Sequence, residues 1–191
     1  MATKKNPREI RFVLNDDDYS AFGRYRILYT EGGRKLVNRQ RITYFVSGAV
    51  IALLFTVFHV DHSFTILAYI VAAVVGIGGP LVSEKMLLRQ QDKAINASKD
   101  NLERVHPVEN IITIGDDVLR TDAGDDHQSF DYKDIKLVDL TEEAIYVWMS
   151  DTMIMPIPLH AFAGMPEMKE AYKLIRTKIK EAGGTAGDDD K

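Results

Sequence analysis

Residues 42–60 read ITYFVSGAVIALLFTVFHV and residues 64–82 read FTILAYIVAAVVGIGGPLV, with only Asp61, His62 and Ser63 between them. Neither stretch contains Asp, Glu, Lys or Arg. As a helix, each extends about 28 Å at ~1.5 Å per residue, close to the hydrocarbon thickness of a bilayer. A helix buried in a small soluble domain is seldom this long and this uniformly apolar. The pair therefore predicts a hairpin of two transmembrane helices joined by a tight turn. No small-residue cleavage pattern follows the first stretch, so a signal peptide is not expected.

The flanks orient the hairpin. Arg34, Lys35, Arg39 and Arg41 precede it, Lys85, Arg89 and Lys93 follow it, and the turn has no Lys or Arg. The positive-inside rule then predicts a multi-pass protein of the cell (cytoplasmic) membrane with both termini cytoplasmic. The charge balance is uneven. Residues 1–104 hold 15 Lys and Arg against 10 Asp and Glu, a net of +5; residues 105–191 hold 9 against 18, a net of −9. There is no cysteine, which excludes disulfides, thiolate metal sites and cysteine nucleophiles.

Small residues recur at helical spacing within the spans: Gly48 with Ala52, and Ala72 with Gly76. Such pairs let helix backbones approach closely, within the hairpin or across a homodimer. Gly76, Gly78, Gly79 and Pro80 predict a kink or fraying near the cytoplasmic end of the second span, because Pro80 lacks a backbone donor. No ionisable residue lies in mid-span, so transport and proton relay are not expected. His59, Asp61 and His62 read as a polar turn rather than a metal site.

Outside the spans the pattern is that of short elements. Met1–Pro7 is basic and expected to be mobile. Glu9–Leu14 alternates like a strand. Asn15–Asp18 offers helix caps and an acidic first turn, and Tyr19, Phe22, Tyr25 and Tyr29 form one helical face that Gly32-Gly33 should end. Ser83 to about Lys99 reads as a polar helix leaving the membrane. From Val108 onward, Gly and Asp turns punctuate six short strands, and Glu167–Ala182 is an amphipathic helix carrying Met168, Ala171, Tyr172, Ile175 and Ile179.

These elements predict an α+β membrane protein: a two-helix transmembrane hairpin inserted in a cytoplasmic pleckstrin-homology-like (PH-like) antiparallel β-sheet or barrel domain with a C-terminal capping helix. The expected organisation is an N-terminal strand and helix (1–41), the hairpin (42–82), a juxtamembrane helix (83–104), the PH-like domain (105–182) and a disordered acidic tail (183–191). The strand at Ile10–Leu14 can join the same sheet or stand apart from it.

The order of elements resembles the YcxB-like family of bacterial membrane proteins over nearly the whole chain. The resemblance rests on Phe12-Val13-Leu14-Asn15-Asp16-Asp17-Asp18-Tyr19 with Phe22 and Tyr25, on the two spans, on Phe130–Ile135, on Ala144–Trp148, and on Ile157-Pro158 followed by Phe162. The family is usually basic after that proline; here Leu159 and His160 stand there, which argues against a basic ligand contact. The resemblance implies a membrane-anchored PH-like domain; its motifs are fold signatures, none of them catalytic, and are silent on chemistry.

Motifs of chemistry are missing. Neither GxxxxGK[ST] nor GxGxxG occurs. Asp125-Asp126-His127 reads as a turn, Asp16–Asp18 as a helix start, and Trp148 as a core residue. No catalytic, cofactor-binding or metal-binding residue is assigned and no cofactor is expected. The net −9 of residues 105–191 argues against nucleic acid and against an anionic membrane surface as ligands of that part. The expected function is a non-enzymatic, membrane-anchored interaction module, which an apolar groove beside Met168–Ile179 would support. The alternative is an accessory or immunity-type subunit acting through its hairpin. The expected partners are the lipid bilayer and an unidentified protein.

Overall fold

The computed structural model describes residues 8–57, 62–102 and 108–185. The mobility expected of Met1–Pro7, the His59 and Asp61 side chains of the turn, and the tail Asp188–Lys191 lie outside the described residues. The chain runs β1 (Arg8–Val13), α1 (Asp16–Tyr29), α2 (Glu31–Val57), α3 (His62–Ala73), a π-helical turn (Val74–Gly78) and α4 (Gly79–Leu102). It continues through β2 (Glu109–Ile114), β3 (Val118–Ala123), β4 (Asp126–Asp131), β5 (Leu137–Leu140), β6 (Ala144–Trp148), β7 (Ile154–Pro158) and α5 (Met165–Glu181). It forms two compact units, residues 1–19 with 100–191, and residues 20–99.

The first unit is discontinuous in sequence. β1 pairs antiparallel with β2, Arg8 opposite Ile114 and Val13 opposite Glu109. One sheet has the order β1-β2-β3-β4 and a second the order β5-β6-β7. The strand before the apolar helices thus belongs to the sheet after them. The reason is its alternation: Ile10 and Phe12 point into the core while Glu9, Arg11 and Val13 face out. They join Ile112, Ile114, Leu119, Ile145, Val147 and Ile157 in one buried cluster. Gly124, at φ +61°, makes the two-residue turn between β3 and β4, a left-handed conformation that glycine adopts without Cβ strain.

Helix α5 closes this core. Met168, Ala171, Ile175 and Ile179 fall at spacings of three and four and have no solvent exposure. Pro166 suits the first turn, where its missing N–H is not needed. The helix ends on Gly183 (φ +80°), whose N–H reaches the Lys180 carbonyl at 3.1 Å while Gly184 reaches Ile179 at 2.9 Å. That double bond is the Schellman stop.

Polar contacts tie β1 to the far end of the chain. Arg8 donates to Glu167 Oε1 at 2.8 Å, and His160 donates Nε2–H to the Val13 carbonyl at 3.2 Å. Glu167 also accepts the Ala163 N–H at 2.7 Å. That backbone bond, opposed by partial desolvation and helped by Arg8, holds the Glu167 carboxyl below its ordinary value. A lowered carboxyl stabilises the fold above the ordinary glutamate range and ceases to do so as pH falls through the folded value. Glu167→Gln is therefore expected to flatten the acid limb of a stability–pH curve, below the ordinary glutamate range, and to leave its shape near neutrality unchanged. Thermal midpoints recorded from acid to neutral pH check this.

In the second unit the helices begin and end differently from the expectation. Gly32-Gly33 does not stop α1; both lie in the first turn of α2. The break is at Thr30, whose hydroxyl accepts the Gly33 N–H at 3.0 Å and donates to the Arg26 carbonyl at 2.6 Å, so it caps α2. Gly33 is needed because a Cβ there would collide with the Arg26 and Ile27 carbonyl oxygens. His62 and Ser63, expected in the turn, belong to α3. The polar helix expected after the second span continues without a break to Leu102.

Candidate functional site

Among the described residues, two helices are long and apolar enough to cross a membrane: Glu31–Val57, and the continuous rod Ile66–Ala94. Length and composition carry that statement. Their large apolar side chains face outward, with Ile42, Phe45, Leu53, Ile66, Val74 and Leu81 each more than half exposed. Soluble chains seldom leave so much contiguous apolar surface uncovered.

The two rods pack through the small residues. A Cβ on Gly48 would lie 2.7 Å from the Ala72 carbonyl oxygen and from Gly76 Cα, so backbone meets backbone. Gly48, Ala72 and Gly76 are buried, and Ala52 is half-buried. Packing within the hairpin thus occupies Gly48, Ala72 and Gly76, the positions that a homodimer would also have used. Just before Pro80, where a kink or fraying was expected, the helix forms a π-helical turn, Val74–Gly78. Pro80 cannot donate to the carbonyl four residues back, and just before it the Gly79 N–H reaches both Val74 and Val75. The ring of Tyr44 fills the space beside Gly79, where a Cβ would lie 2.6 Å from Tyr44 Cγ.

A polar pair also bridges the rods. Thr56 Oγ1 donates its hydrogen to the Ala52 carbonyl at 2.8 Å, so Tyr69 is the donor in the 2.6 Å contact between Tyr69 OH and Thr56 Oγ1. Interhelical hydrogen bonds of this kind average about 0.6 kcal/mol. Tyr69→Phe is expected to cost roughly that much in an unfolding titration of the detergent-solubilised protein, with no change in helix content.

At the base of the rods lies a cavity of about 250 Å³ lined by Ile27, Leu28, Arg34, Val37, Asn38, Arg41 and Glu84. Arg34, Asn38 and Arg41 share one face of α2, at steps of four and three. Arg41 and Glu84 approach to 3.8 Å, each about half exposed. Residues 20–99 carry ten Lys and Arg against four Asp and Glu, a net of +6, so the basic excess of the chain sits here.

The apolar face of α5 is filled by the core, so the groove sought beside Met168–Ile179 is closed. Trp148, expected in the core, is only partly buried at the end of β6. Among the described residues, no group of three or more His, Asp or Glu is placed to hold a metal. His127 Nδ1 meets Asp122 Oδ1 at 2.6 Å as an exposed pair across β3 and β4. His160 Nδ1 stands 3.4 Å from Asp18 Oδ1. Asp18 also exchanges capping bonds with Asn15, its N–H to Asn15 Oδ1 at 3.0 Å and its Oδ2 from the Asn15 N–H at 2.8 Å, as the acidic helix start foresaw. Burial in the core raises the Tyr132 hydroxyl well above its ordinary range, with Asp116 and Asp117 adding to the effect, and it donates to the Gly115 carbonyl at 3.0 Å. Its role is structural.

The cavity was not foreseen. In the sequence Arg34 and Arg41 serve only as topology signals, and Asn38 carries no signal of its own. No protein-family model, no curated protein and no solved structure matches the chain.

Proposed function

We propose that this chain is a non-enzymatic, membrane-anchored interaction module. Its α2 and α3–α4 rods span the cell membrane as a hairpin, both termini face the cytoplasm, and the strand unit is a PH-like domain that the hairpin interrupts. One observation carries the reading: two uncovered apolar rods lie in sequence between β1 and β2, neighbouring strands of one sheet. Neighbouring strands must lie on the same side of a bilayer, and an even number of spans achieves that. The Lys and Arg distribution points the same way. A four-stranded sheet, a three-stranded sheet and a closing helix are what a PH-like domain needs, and the resemblance to the YcxB-like family agrees with it.

The second reading, an accessory subunit of a membrane complex acting through the hairpin, gains from two findings. The α5 groove is closed, and the outward faces of the rods are open to another membrane protein. Replacing residues 42–82 by an unrelated two-span hairpin separates the readings. A partner captured from native membranes by both forms supports the module; a partner lost with the native hairpin supports the accessory subunit.

A further inference from the structure

We propose that the cavity at the base of the rods binds the phosphate group of an anionic phospholipid. The assignment rests on the membrane reading above and gives the second unit a ligand of its own. Arg41 immediately precedes the first apolar stretch, and Glu84 follows the second by two residues. With the stretches in the hydrocarbon, the cavity lies at the level of the cytoplasmic headgroups.

The lining suits a phosphodiester. Arg34 and Arg41 supply guanidinium forks that match phosphate oxygens, and Asn38 adds an amide donor between them. Ile27, Leu28 and Val37 complete the lining. The volume, about 250 Å³, falls below the ~300–1,000 Å³ typical of drug-sized ligands and suits a headgroup fragment. Glu84 is the internal competitor. Its contact with Arg41 is long at 3.8 Å and solvated, so it is easily exchanged for a shorter charge-assisted bond to phosphate. The net charge of +6 on residues 20–99 selects an anionic lipid over a zwitterionic one.

The test uses full-length protein in mild detergent with added phosphatidylglycerol or phosphatidylcholine, retained lipid being read by native mass spectrometry. Phosphatidylglycerol is expected to be retained in preference. The double variant Arg34→Gln with Arg41→Gln should lower that retention about tenfold or more, while Arg89→Gln, outside the lining, should not. Glu84→Gln should raise it by removing the competing carboxylate. Circular dichroism verifies that each variant is folded. Equal retention of the two lipids, an equal loss in Arg89→Gln, or a loss in Glu84→Gln overturns the proposal. Stabilisation by inorganic phosphate without any phosphatidylglycerol preference also overturns it, and reassigns the site to a soluble phosphate. Alkaline carbonate extraction of the expressing membranes is run in parallel. Release of the protein by carbonate defeats the membrane reading itself; retention in the membrane with equal lipid binding defeats only the cavity assignment.

Discussion

Phe12→Ala is expected to destabilise the strand unit by about 3–5 kcal/mol, although the residue precedes the first apolar helix and the rest of the core follows the second. Phe12 is 6% exposed and packs in the same cluster as Ile112, Leu119 and Ile145. Its removal leaves a cavity in a core that β1 and β2 build together. Val13, its neighbour on the outer face, is 40% exposed, and Val13→Ala should change stability by less than about 0.5 kcal/mol. Trp148 is the only tryptophan and lies in β6, so its fluorescence reports on this unit during denaturation. Equal small effects of the two substitutions would mean that β1 is a linker and not a core strand. A related consequence concerns fragments. A piece comprising residues 105–191 lacks β1, loses Ile10 and Phe12 from the core, bares the edge of β2 and should fold poorly.

Gly48→Leu is expected to separate the two rods. Even Gly48→Ala should cost about 1–3 kcal/mol, because the added methyl meets the Ala72 carbonyl and the Gly76 backbone, which cannot rotate away. Leucine adds three further carbons at the same point. Gly78 is the control within the same rods, since a Cβ there meets nothing within 4 Å. Gly78→Ala should therefore be close to neutral. Unfolding of the detergent-solubilised protein in rising SDS, followed by circular dichroism, compares the three. A Gly48→Leu midpoint equal to that of Gly78→Ala would show that the close approach does not hold the hairpin together.

The parts of the fold that sequence made legible are those in which a local pattern carries the physics. Long charge-free stretches announce helices able to cross a membrane, and spacings of three and four announce α5. Gly48, Ala72 and Gly76 announced close packing by their spacing, but not whether the neighbour lay in the same chain. What sequence withheld depends on distant pairing. The alternation of Ile10 and Phe12 predicts a strand, yet nothing in it names β2 as the partner, because register is set by side chains about a hundred residues away. Gly32-Gly33 looked like a helix stop because glycine often is one. Thr30 breaks the helix instead, and Gly33 serves close approach within the first turn of α2. The cavity needs α1, α2 and α4 brought together, so no single stretch could reveal it.

The proposed hairpin crosses the membrane and interrupts one cytoplasmic domain, and this can be tested by labelling. The most direct measurement exploits the absence of cysteine, which makes any introduced thiol the only one present. Ser63→Cys marks the first turn of α3, at the end of the rods where the two spans are joined, and Thr185→Cys marks the far end of the strand unit. Intact cells are treated with a membrane-impermeant maleimide, then lysed and treated again. The account predicts that Ser63→Cys is labelled in intact cells and that Thr185→Cys is labelled only after lysis. Labelling of Thr185→Cys in intact cells, or of Ser63→Cys only after lysis, would contradict it.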